Sequence, residues 1–228
     1  MFQLMHQLSS VSKKFRCLPD TSFSERVSVP DLHLVYTDKN LGSTVVPILA
    51  VQVGFTEPAE SLQESMTRIL ENPDTPHVKV GITVDIKEVP WYENPLRKAE
   101  NACVAIEKGS LYQPGSDFEE KPGEEGGSLW RFGMHWVGNL TASARVWKKD
   151  PKSGKAVAGE PIRFYGTNAE ENPKLELNLS EFVPSDDEMY KRPFVFECTL
   201  WREGLIFARQ ILARERYAAA VKALKNQK

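Results

Sequence analysis

The run Val45 to Val53 (VVPILAVQV) constrains the fold of this chain more than any other stretch. It is almost continuously apolar and rich in β-branched residues, so it does not alternate a wet face with a dry one. That pattern marks a strand covered on both faces, the central position of an α/β sheet. Near its end stands Gln52, a polar amide at the tip of a buried strand.

The flanking segments complete a small α/β unit. Leu32, Leu34 and Tyr36 alternate with His33, Val35 and Thr37, which predicts a strand. Asp38-Lys39-Asn40-Leu41-Gly42 is turn chemistry. Beyond Val53, Glu57 to Pro73 (EPAESLQESMTRILENP) predicts a helix: Thr56 is a candidate N-cap, Pro58 suits the first turn, and Leu62, Met66, Ile69 and Leu70 share one face. Asn72-Pro73 ends it. After His77, the residues Val78, Val80, Ile82, Val84 and Ile86 alternate with Lys79, Gly81, Thr83, Asp85 and Lys87, a strand with one apolar face. The order is strand, turn, strand, helix, strand over residues 29–88.

Around this unit the chain divides into an N-terminal segment (1–28), the core (29–110), an acidic loop (111–128) and a C-terminal region (129–228) packed on the core as one domain. The first segment is weakly patterned, with a short helix near Phe2 to Leu8 and a turn at Pro19-Asp20. Leu96 to Ile106 reads as a helix or an edge strand. Gln113 to Ser128 (QPGSDFEEKPGEEGGS) is acidic and rich in Gly and Pro, the composition of a mobile loop. Trp130, Phe132, Met134 and Trp136, then Ala142, Ala144 and Val146, then Ile162 and Phe164, predict a meander of antiparallel strands. Phe194, Phe196, Cys198 and Leu200 alternate as another strand, and Glu203 to Lys225 predicts a helix with a basic tail. The fold class is therefore α/β (α+β), with an antiparallel β extension and a C-terminal helix.

Formal net charge is −2, from 29 Lys and Arg against 31 Asp and Glu, so the chain carries no global basic footprint and any nucleic-acid contact must come from a local patch. Cys17, Cys103 and Cys198 have no CxxC pairing and no zinc spacing, and read as reduced thiols. The opening MFQLMHQLSSVSKKF has too short an apolar run for a signal peptide, and no run reaches the about 18 residues of a membrane span. The expectation is an intracellular protein, cytoplasmic or nuclear, with no membrane partner. On that reading the sequons at Asn139 and Asn178 are chance matches. There is no GxGxxG after a strand, no P-loop and no GxSxG.

Pro30-Asp31, then VVPILAVQVGFTEPAESL with a helix behind it, then HVKVGITVDIKE, resembles the PD-(D/E)XK nuclease-like superfamily, in the version found in fungal proteins of unassigned role. A further echo is LELNLSEFVP, Leu175 to Pro184. The resemblance covers residues 29–88 and implies a nuclease-like core acting on DNA with Mg²⁺. Carried over, Asp31 matches the first metal-binding acid and Gln52 stands where a second acid is usual. Gly54 stands where the lysine belongs, leaving Arg68 or Lys79 as stand-in cations. A neutral ligand removes a full charge that a hard dication favours. A missing lysine leaves the developing phosphorane charge unopposed.

Beside the resemblance, each residue has a plainer reading. Asp31 opens a strand after a proline, Gln52 caps a strand end with its amide bonded to backbone, and Arg68 and Lys79 are solvated charges. His33 and His135 pack locally. Trp130, Trp136, Trp147 and Trp201 fill a core rather than stack on bases, and the basic tail from Arg209 is a charged helix face. The leading expectation is a nuclease-like protein with weakened or lost catalysis, a relict of a mobile-element or defence nuclease serving as an interaction module. The alternatives are an active Mg²⁺-dependent DNA endonuclease and a protein-binding domain without nuclease ancestry.

Overall fold

In the computed structural model, residues 15–18, 31–38, 44–98, 100–104, 118–120, 126–181, 183, 191 and 193–226 are described. They form β1 (Phe15–Leu18), β2 (Leu32–Asp38), β3 (Thr44–Phe55), α1 (Ala59–Glu71), β4 (Val80–Val89), β5 (Glu119–Glu120), β6 (Leu129–Arg131), β7 (Met134–Val137) and β8 (Asn139–Lys149). β9 (Ala156–Ala158), β10 (Ile162–Tyr165), β11 (Lys174–Asn178), β12 (Pro193–Glu197) and α2 (Thr199–Lys225) follow. The expected helix at Phe2 to Leu8 and turn at Pro19-Asp20 lie outside the described residues, as do 39–43 of the expected turn after β2.

The apolar run becomes β3, buried from Ile48 to Val51 with both faces covered. It lies inside a seven-stranded mixed sheet of order β1-β2-β3-β4-β8-β10, with β9 also on β8. β1, β2 and β3 are antiparallel, whereas β4 is parallel to β3. A parallel neighbour needs a crossover, and α1 supplies it. The chain is thus mixed α+β, with the strand-strand-helix-strand core, the antiparallel extension and the C-terminal helix that its patterning predicts.

α1 buries the four residues its periodicity selects, Leu62, Met66, Ile69 and Leu70. Met66, Ile69 and Leu70 pack with Ala50, Val78 and Trp147 in one core cluster. Each such side chain contributes about 1.5–3 kcal/mol on leaving water. A β-carbon on Gly81 would collide with Met66 Sδ, so glycine here lets the Met66 side chain pack directly against β4. This fixes which sheet face α1 covers: that of Ala50 and Gly81, paired across β3 and β4. β4 accordingly departs from the one-faced strand expected of it, since Gly81 and Thr83 are buried along with Val80, Ile82 and Val84. The cap also differs. Pro58, not Thr56, is the N-cap and gives no side-chain bond, while Thr56 holds φ 59° and turns its hydroxyl to Phe55 O at 2.7 Å.

The chain separates into two compact units that interleave along the sequence. The first comprises Met1–Ile86, Ala142–Phe164 and Glu170–Leu200, and the second Lys87–Thr141, Tyr165–Ala169 and Trp201–Lys228. In the second, β5, β6 and β7 form a small antiparallel sheet. Phe132 and Gly133 between β6 and β7 both have positive φ, the primed turn that suits strand twist. Rings of Phe118, Trp136 and Tyr217 meet edge to face, and the Arg131 guanidinium lies 5.1 Å from the rings of Phe118, Phe132 and Tyr217.

Two expectations change here. The acidic stretch is a loop only in part, because Phe118 is buried, Glu119–Glu120 pair with β6, and Gly126, Gly127 and Ser128 are buried. α2 starts at Thr199, so Leu200 belongs to a helix rather than a strand. The ambiguous segment near Leu96 is a 3₁₀ turn at Pro95–Arg97 followed by helical residues 100–104. Among the described residues no helix is long and apolar enough to cross a membrane.

Candidate functional site

Antiparallel register decides whether Asp31 and Gln52 can share a pocket. Leu32 pairs with Val51 and His33 with Ala50. Asp31 stands one residue before this pairing begins, just outside β2. Gln52 lies on the face that α1 covers: Ser65 Oγ on α1 donates to Gln52 Oε1 at 2.9 Å. Across β3, Gln52 pairs with Thr83 of β4, whose hydroxyl accepts a 3.0 Å bond from Trp147 Nε1. A polar row therefore runs from Gln52 of β3 to Thr83 of β4 in an otherwise apolar layer, with Asp31 just before β2 beside its end.

Each member of the row already has a structural partner. Asp31 Oδ2 accepts from the Val53 backbone N–H at 2.6 Å, closing the end of β3 where β2 has not yet begun. Gln52 is held by the helix and Thr83 by the indole. The plain reading of Asp31 as a strand-opening residue matches this bond. That of Gln52 needs amending, since its amide oxygen meets a helix hydroxyl rather than backbone.

The next level of the sheet holds what sequence reasoning missed. Gly54 pairs with Asp85, and the Glu57 carboxylate lies over Gly54, with Oε1 2.6 Å from where a β-carbon would stand. A side chain at this position would have to displace the end of the Glu57 side chain. The signal was present in the spacing: Glu57 follows Gly54 by three residues, across the turn into α1.

The proposed stand-in cations are elsewhere. Arg68 is exposed on α1 and paired with Glu64 at 3.3 Å, one turn along the same helix. Lys79 precedes β4, four residues before Thr83, which is roughly 13 Å along a strand at about 3.3 Å per residue. Neither is brought to the row of Asp31 and Gln52. His33 is buried opposite Ala50. His135 is half-buried against Trp130, with ring centroids 5.1 Å apart, and burial holds its pKa below the usual range. Trp136 and Trp147 are buried as core residues. Of the basic tail, Arg209 pairs with Glu120 and donates to Gly127 O, and Arg216 pairs with Glu88.

The donor set does not suit a divalent metal. Asp31 offers one charge with an oxygen already engaged, Gln52 is neutral, and among the described residues no three His, Cys, Asp or Glu side chains converge as ligands. Comparison with protein-family models, with curated proteins and with solved structures gives no match to this chain.

Proposed function

We propose that this chain is a PD-(D/E)XK nuclease-like protein whose hydrolytic centre is degenerate, descended from a mobile-element or defence nuclease and working inside the cell as an interaction module. The strand order, the crossover helix and the place of Asp31 at the end of β3, bonded to the residue after Gln52, support the ancestry. The loss of catalysis rests on one observation above all, the Glu57 carboxylate in the space over Gly54. A lysine there would oppose charge developing on phosphate. A carboxylate repels it.

The test is cleavage of plasmid and single-stranded DNA in Mg²⁺ or Mn²⁺, with calorimetric titration of each metal, on the unaltered protein and on Asp31→Ala. The expected result is no cleavage and no metal binding by either. Cleavage that Asp31→Ala abolishes, while Lys98→Ala does not, would overturn the reading in favour of an active Mg²⁺-dependent endonuclease.

A further inference from the structure

Within the second unit, Phe118–Glu120 is seated as a bound peptide would be. Phe118 is the one large apolar residue between Gln113 and Glu125, and it stands between two Pro-Gly pairs, Pro114-Gly115 and Pro122-Gly123. β5 is only two residues long and lies at the edge of its sheet. Side chains from the rest of the unit hold it there.

Three devices do so. The Phe118 ring is buried, edge to face with Trp136 and Tyr217 at 6.4 and 6.3 Å between centroids, and the Arg131 guanidinium lies 5.1 Å from it. The Gln210 amide reads the backbone: its Oε1 accepts from Phe118 N–H at 3.2 Å, and its Nε2 donates to Phe118 O at 3.3 Å. Two residues on, Glu120 pairs with Arg209, a side chain almost wholly buried that also donates to Gly127 O at 3.0 Å. Glu119, between them, is exposed. Arg209, Gln210 and Tyr217 all come from α2, while β6 sets Trp130 and Leu129 opposite Glu119 and Glu120.

We infer that this groove is a recognition site for an extended segment of a partner protein, patterned aromatic, any residue, carboxylate, and that Phe118–Glu120 is its built-in competitor. The division of labour is that of strand addition: backbone bonds hold any sequence, and side-chain pockets select among them. The aromatic box takes a ring edge to face, and the buried arginine takes a carboxylate by charge-assisted hydrogen bonds. The occupant's chemistry is thus the chemistry already seated there. A tethered segment yields to a free one of the same pattern once the free one exceeds its effective concentration, about millimolar for a short flexible linker. Resting on the interaction-module reading, this groove is judged by peptide binding, whereas lost hydrolysis is judged by cleavage, so the two fail separately.

The probe is a fluorescein-labelled hexapeptide, Ser-Asp-Phe-Glu-Glu-Lys, the sequence of residues 116–121, titrated with the full chain and followed by anisotropy. Phe118→Ala and Glu120→Gln each weaken the tethered competitor, so both chains should bind the peptide about tenfold or more tightly than the unaltered chain does. Replacing the peptide's Phe by Ala, or its second Glu by Gln, should abolish that gain. Gln210→Ala in the Phe118→Ala chain should weaken binding by about tenfold, the scale of two lost hydrogen bonds. Arg68→Ala, in the first unit, should change nothing. Circular dichroism and light scattering accompany each titration. Tighter binding by either folded variant, lost with the altered peptides, upholds the site. Equal binding by all three chains, or binding by none, would overturn it. So would loss of fold in both variants, because the segment would then be framework rather than ligand. Dimers that excess peptide dissolves would make a second copy the occupant and overturn the partner.

Discussion

Glu57 and Gly54 exclude one another's alternatives: the carboxylate stands 2.6 Å from where any side chain at Gly54 would begin. Gly54 lies in β3, where glycine costs roughly 0.5–1 kcal/mol relative to alanine. Gly54→Ala should therefore stabilise the fold, were Glu57 absent. With Glu57 present, the gain is offset by displacing the carboxylate. The expected double-mutant cycle is a neutral or destabilising Gly54→Ala in the unaltered chain, and a stabilising one of about 0.5–1 kcal/mol on a Glu57→Ala background. Urea midpoints measure both. An equal gain in the two backgrounds would remove Glu57 from this position.

Asp31 serves β3 by accepting the Val53 N–H. Asp31→Asn keeps an acceptor there and should leave stability nearly unchanged, while Asp31→Ala should cost about 1 kcal/mol, the scale of one net hydrogen bond. Mg²⁺ should not raise the melting temperature of any of the three proteins, because a ligand bound only by the folded state would stabilise it. A rise seen with Asp31 and lost in both variants would restore the acid to a metal-binding role.

Much of this architecture is written in side-chain periodicity. Val45 to Val53 announced the buried strand, and Leu62, Met66, Ile69 and Leu70 announced the face α1 buries. Where Asp31 meets β3 is a matter of register, which one strand's pattern does not carry; it needs the pairing of Leu32 with Val51 and the bond from Val53 N–H. Thr83 and Gly81 read as the wet side of β4 because alternation reports polarity, and a helix can cover glycine and a hydrogen-bonded threonine as well as it covers valine. Glu57 was hidden for a different reason. Its role comes from the turn at Thr56, whose positive φ no propensity would assign to threonine. Lys79 and Arg68 are candidates only as stand-ins for the lysine that the resemblance implies, and the strand and helix carry them away from Gln52.

In the second unit, Glu88 and Arg216 form a bidentate pair at 2.6 and 2.7 Å. Glu88 Oε1 also accepts from Gly138 N–H at 2.8 Å, and Arg216 also donates to Trp136 O at 3.0 Å and lies over the Tyr92 ring at 4.2 Å. Arg216→Ala strands a carboxylate that is almost wholly buried, and should cost about 3–5 kcal/mol. Arg216→Lys should recover only part of that, since an ammonium cannot supply the parallel fork. Replacing both residues, as Glu88→Gln with Arg216→Met, should be milder than Arg216→Ala alone. Chemical denaturation of the four proteins reads the order, and a harmless Arg216→Ala would show that the pair carries no structural role.

Cys198 and Cys103 differ in burial, and so in chemistry. Burial, reinforced by Glu170, pushes the Cys198 thiol up to about 12, whereas Cys103 is exposed. Thiolate is the reactive form, so a thiol reagent near pH 8.5 should label Cys103 in the folded chain and reach Cys198 only as the protein unfolds. The same shift makes stability pH-dependent, with a definite sign. Below the unfolded thiol pKa, about 8.5, both states keep the proton and nothing is lost. Above it the unfolded chain releases a proton that the folded chain retains, so stability falls as pH rises from about 8.5 towards the folded value. Cys198→Ala should flatten that part of the profile at the cost of a small cavity. Peptide mapping of the labelled protein and urea midpoints at several alkaline pH values check the two halves. Rapid labelling of Cys198 under native conditions would mean that the start of α2 opens far more readily than its burial allows.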